Sequence, residues 1–99
     1  MEMKRKQPMQ ATLWRFEGMF FGGDRDQAGV EIGDICTGNF ATITADPTEA
    51  QNLLEKRYAD LNGRFSVGVL EVAPQTRWAA QTLARVMKRG GTKQIPLLA

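Results

Sequence analysis

Histidine is absent from this chain, and that absence narrows its chemistry more than any residue present. Without an imidazole there is no Ser–His or Cys–His nucleophile pair, no histidine metal ligand, and no general base titrating near neutrality at its ordinary pKa. Cysteine occurs once, at Cys36, which excludes an internal disulfide and suits a reducing, cytoplasmic setting. Long apolar runs are missing too: nothing approaches the ~20 residues of a membrane span. The opening MEMKRKQPMQ carries cations with no apolar segment behind them, unlike a secretory signal. Neither a cofactor, a metal nor a membrane is expected, and the weight moves from catalysis to binding.

What is present supports one small domain. A chain of 99 residues with 42% hydrophobic content can close a single core without staples. Residues 1–10 read as a mobile basic arm, 11–91 as a single α+β domain, and 92–99 as a tail whose Ile95, Leu97 and Leu98 need somewhere to dock. In TLWRFEGMFF, residues Trp14, Phe16 and Phe20 share one parity and predict a core-facing strand, with Gly18 marking a bulge or close approach. The loop GGDRDQAG then predicts a hairpin onto a short strand around Val30 and Ile32, and NFATITA a third strand.

Asp46, Pro47 and Glu49 mark the start of a helix, by N-cap, N1 and N3 chemistry. Ala50, Leu53, Leu54, Tyr58 and Leu61 recur at helical spacing behind that start, and Gly63 reads as its stop. FSVGVLEV is apolar on both parities, which predicts a central strand. A second helix enters after Pro74 and ends at Gly90 and Gly91, with Trp78, Ala79, Thr82, Leu83, Val86 and Met87 forming its inward stripe. The predicted order is β-β-β-α-β-α, a four-stranded mixed sheet with two helices covering one face.

Charge is segregated along the chain. Residues 73–99 hold five cations and no acid, while residues 11–72 hold five cations against ten carboxylates. Arg85, Lys88 and Arg89 complement the dipole at the end of the second helix, so a solvated face accounts for them. Arg77 lies in the first turn, where the same dipole disfavours it. The outer face of this helix, Arg77, Gln81, Arg85, Lys88 and Arg89, is the candidate polyanion surface. With Gln81 its single base-reading type, its contacts would be to phosphate, helped by Lys4, Arg5 and Lys6 of the arm.

Several other stretches have structural explanations. DRDQAGVE has the Asp-x-Asp start of a calcium loop, but Ala28 and Ile35 occupy two ligand positions. The glycines of KRGGTK stand at the wrong end of the helix for an anion site and fit a C-cap. Cys36 follows Asp34, which would oppose a reactive thiolate. Asp24, Asp26, Glu31 and Asp34 could pair as catalytic carboxylates, yet an acidic loop also serves turn geometry. The same acidic cluster could receive the basic helix of a second copy. Phe21, on the parity of Arg15 and Glu17, is the candidate exposed aromatic.

Together these features predict a small non-catalytic binding or regulatory module acting through protein contacts and self-association. Phe21, Asp24, Asp26, Glu31 and Asp34 are its contact candidates. The alternative is a nucleic-acid-binding accessory protein using the basic helix.

Overall fold

The computed structural model describes residues 11–74, 76–92 and 95–98. The arm, with Lys4, Arg5 and Lys6, and Lys93 of the tail lie outside them. The described residues form a single α+β domain with two helices and a four-stranded mixed sheet, as the sequence predicts. The element order differs. It runs β1 (Thr12–Arg25), β2 (Glu31–Thr42), α1 (Pro47–Ala59), β3 (Arg64–Val72), α2 (Arg77–Arg89) and β4 (Leu97–Leu98), with sheet order β3-β1-β2-β4.

The two strands expected between the hairpin and α1 are one continuous strand, β2. Gly33, Asp34, Gly38 and Asn39 look like turn formers, but the glycines serve as slots for side chains of β1. A Cβ on Gly33 would lie 2.5 Å from the Phe21 ring and 2.7 Å from Met19, and one on Gly38 would crowd the Phe16 ring at 3.2 Å. β1 pairs with β2 in an unbroken antiparallel register from Thr12↔Thr42 to Phe21↔Gly33. Its other edge pairs antiparallel with β3, with a register shift at Glu17/Gly18. There the Gly18 backbone packs under Phe65, leaving no space for a Cβ. The central strand is therefore β1, and β3, expected in the middle, lies at an edge.

Successive strand residues face opposite ways, and the core divides accordingly. On one face Trp14, Phe16, Phe40 and Phe65 pack under Ala50 and Leu54 of α1, joined by Leu98. On the other, Leu13, Ala41 and Ala73 meet Ala79 and Val86 of α2, with Ile95 of the tail. The helices cover opposite faces, not one as expected. The tail residues find their dock here: Leu97 and Leu98 pair parallel with Ala41 and Thr42.

The helix ends follow local chemistry. Asp46 accepts the Thr48 N–H at 3.0 Å, and Thr76 caps α2 by accepting the Ala79 N–H at 3.0 Å. Gly90 closes α2 in the left-handed region at φ 74°. α1 stops at Ala59, the left-handed position falls to Asn62, and Leu61 beyond the last turn is exposed instead of joining the core stripe.

One buried polar chain locks the base of the sheet. The Trp14 indole N–H donates to the Thr42 hydroxyl at 2.8 Å, which donates to the Thr44 carbonyl at 2.6 Å. Thr42→Val keeps the shape and orphans both partners. We expect a loss of about 1–3 kcal/mol, measured as a lower urea midpoint with unchanged m.

Candidate protein-contact surface

α2 covers its face of the sheet only at the base, over Leu13, Ala41 and Ala73. Beyond Arg15 no helix of the described residues packs over that face. The β1 side chains pointing there are Arg15, Glu17, Met19 and Phe21, flanked by Ile35, Thr37 and Asn39 of β2 and by Val69 and Glu71 of β3. Ile35 is 68% exposed and Val69 47% exposed, while Met19 and Phe21 are half-buried. A shallow depression of about 470 Å³ opens over Arg15, Glu17, Thr37, Asn39, Val69 and Glu71. The Arg15–Glu71 ion pair at 3.8 Å spans it, but both side chains are more than half exposed, so the pair contributes little.

Phe21 occupies this bare face, as its parity predicts, although it is not a free aromatic. The Arg64 guanidinium lies 4.4 Å from its ring centroid and also binds Glu31 at 3.0 Å. Phe21, Arg64 and Glu31 thus form one cluster at the far end of the sheet.

The structure separates the other acidic candidates. Asp26 Oδ1 accepts the N–H groups of Ala28 and Val30, each at 2.9 Å, so it builds the hairpin turn. Asp24 is exposed beside it, and Arg25 donates to the Gly29 carbonyl at 2.8 Å. Asp34 is exposed opposite Phe20, on the α1 side of the sheet. Among the described residues, no three acidic or cysteine side chains converge in a manner that could hold a metal ion. Cys36 is half-buried, with its Sγ 3.7 Å from the Asp34 carbonyl. Burial, reinforced by Cys36, raises the pKa of Tyr58 above the ordinary phenol value.

The edge of β2 carries a feature that sequence reasoning missed, because it depends on strand order. The Ala41 N–H points away from β1, to the Pro96 carbonyl at 2.9 Å. Backbone groups of alternate residues share an edge, so Asn39, Thr37, Ile35 and Gly33 also point outward. At the hairpin end the Asp26 N–H donates to the Val30 carbonyl at 2.9 Å, which fixes Val30 inward and Glu31 outward. β4 covers β2 only at Ala41 and Thr42. Five residues, Glu31 to Asn39, therefore present a backbone row with no partner among the described residues. On the opposite edge of the sheet, Glu55 of α1 accepts the Val67 N–H of β3 at 3.3 Å.

On α2, Arg77, Gln81, Arg85, Lys88 and Arg89 are all exposed, and none joins an ion pair among the described residues. Trp78, expected in the core stripe, is 58% exposed. α2 docks through the small residues Ala79 and Thr82 and through Val86, against Leu13, Ala41 and Ala73. The indole lies outside this contact. At 100° per residue it falls on the same arc as Gln81, Arg85 and Arg89.

No helix among the described residues is long and apolar enough to cross a membrane. No family model matches the chain, and neither a curated protein nor a solved structure is significantly similar to it.

Proposed function

We infer that this protein is a small non-catalytic module of the cytoplasm that acts through protein contacts and associates with itself. One observation carries the reading: among the described residues, β2 offers an unpaired edge from Glu31 to Asn39 beside an uncovered sheet face bearing Met19, Phe21, Ile35 and Val69. Strand edges of this length are ordinarily blunted by lysine, proline, an inward charge or a covering element. β2 has neither lysine nor proline, Asp34 is its one charge on the α1 side, and its covering strand is two residues long. Backbone pairing at such an edge supplies affinity, and the adjoining side chains supply selectivity. Sedimentation equilibrium across a wide concentration range tests the reading. Mass should rise with concentration, and a chain that stays monomeric throughout would end it.

A second reading has its own support in Trp78. An exposed indole on an arc with Arg77, Arg85, Lys88 and Arg89 offers base stacking beside phosphate contacts. Nucleic-acid binding then predicts quenching of Trp78 emission by a generic single-stranded oligonucleotide and an affinity falling steeply with salt. Arg77→Glu with Lys88→Glu should abolish the quenching. Unchanged emission at low salt would dismiss this reading without touching the first.

A further inference from the structure

We propose that the partner of the β2 edge is the β2 edge of a second copy, paired antiparallel about a two-fold axis at Ile35. This rests on the self-association reading and specifies its geometry.

A two-fold axis perpendicular to a sheet places one residue opposite its own copy. The outward row, Glu31, Gly33, Ile35, Thr37 and Asn39, has Ile35 at its middle. Centring there pairs Ile35 with Ile35, Gly33 with Thr37, and Glu31 with Asn39, so each outward backbone group finds a partner. Displacing the axis to Cys36 would set Glu31 against Ala41, whose N–H already donates to Pro96. Displacing it to Asp34 would leave Asn39 without a strand partner. The centred register also apposes the two most exposed large apolar side chains of the sheet, since Ile35 is 68% exposed.

Charge complementarity supports the same arrangement. With Ile35 on the axis, the hairpin tip of one copy runs towards β4 of the other. That tip region, Gly22 to Asp34, holds four carboxylates against one arginine, and with Glu31 paired to Arg64 it keeps an acidic excess of two. Beside β4 lies the end of α2, because Gly91 bridges to Pro96 and follows directly on Lys88, Arg89 and Gly90. The acidic tip of each copy thus meets the basic helix end of its mate.

Thr37→Pro tests the pairing. Thr37 directs its N–H outward, so proline deletes no bond within the sheet of one copy and places a ring at the contact. The variant should keep its circular dichroism and sediment as a monomer where the wild type is a dimer. Ile35→Cys in a Cys36→Ser background provides the second arm. Directly opposed residues have Cα atoms about 5.5 Å apart, within disulfide reach, so mild oxidation should link the two copies. Wild-type Cys36 lies opposite Asp34 in this register and should link poorly. A Thr37→Pro chain that still dimerises, or faster linking through Cys36 than through Ile35→Cys, overturns the register and leaves self-association standing. A monomeric wild type overturns both.

Discussion

Ile35→Asp should raise the dimer dissociation constant by about 100-fold or more while leaving the folded monomer nearly as stable as before. In the paired state the two carboxylates would face each other across the axis with backbones about 5.5 Å apart. At an effective dielectric of about 20, like charges at that separation repel by about 3 kcal/mol, which is two decades in affinity. Loss of the apposed isoleucines adds to this. The isolated chain loses little, because Ile35 is 68% exposed and lies outside the part of its face that packs against α2. Sedimentation gives the dissociation constant and urea unfolding of dilute protein gives the stability. A large drop in dilute-protein stability with unchanged dimerisation would place Ile35 in the monomer core and not at a contact.

Phe40→Ala should do the reverse, costing about 3–5 kcal/mol of folding stability. Phe40 is fully buried and joins the core aromatics of both neighbours on its face: its ring centroid lies 6.3 Å from that of Trp14 and 5.8 Å from that of Phe16. Removing it opens a cavity lined by rings anchored on β1, which cannot collapse without breaking the strand register. For a domain of this size such a loss lowers the thermal midpoint by about 15–30 °C, and a substantial part of the total stability disappears. Thermal unfolding followed by circular dichroism measures it. A midpoint within a few degrees of the wild type would contradict the assignment of this face as the principal core.

The contrast between these residues also marks what the sequence could reveal. Alternation in TLWRF identified Trp14 and Phe16 as core, and capping chemistry at Asp46 and Gly90 located helix ends, because both signals act within a few residues. The continuity of β2 was hidden: Gly33 and Gly38 resemble turn formers until the rings of Phe21 and Phe16 are known to fill the space above them. Strand order was hidden for a related reason. FSVGVLEV reads as a two-sided central strand, but Val69 and Val72 are left exposed on β3 because β1 takes the centre. The exposure of Trp78 depends on which arc of α2 meets the sheet, which helical spacing alone cannot express. Of the candidate contacts, Phe21 was legible by parity. The β2 edge was not, since an unpaired backbone row is a property of topology and not of residue type.

Amide hydrogen exchange at Gly33, Ile35, Thr37 and Asn39 tests the proposed edge pairing most directly. Within a single copy these N–H groups have no acceptor among the described residues and should exchange quickly in dilute protein. In concentrated protein all four should become protected together, while the inward amides Asp34, Cys36 and Gly38 stay protected at both concentrations. Outward amides that exchange equally fast at every concentration would contradict the proposed pairing, whatever mass the protein shows.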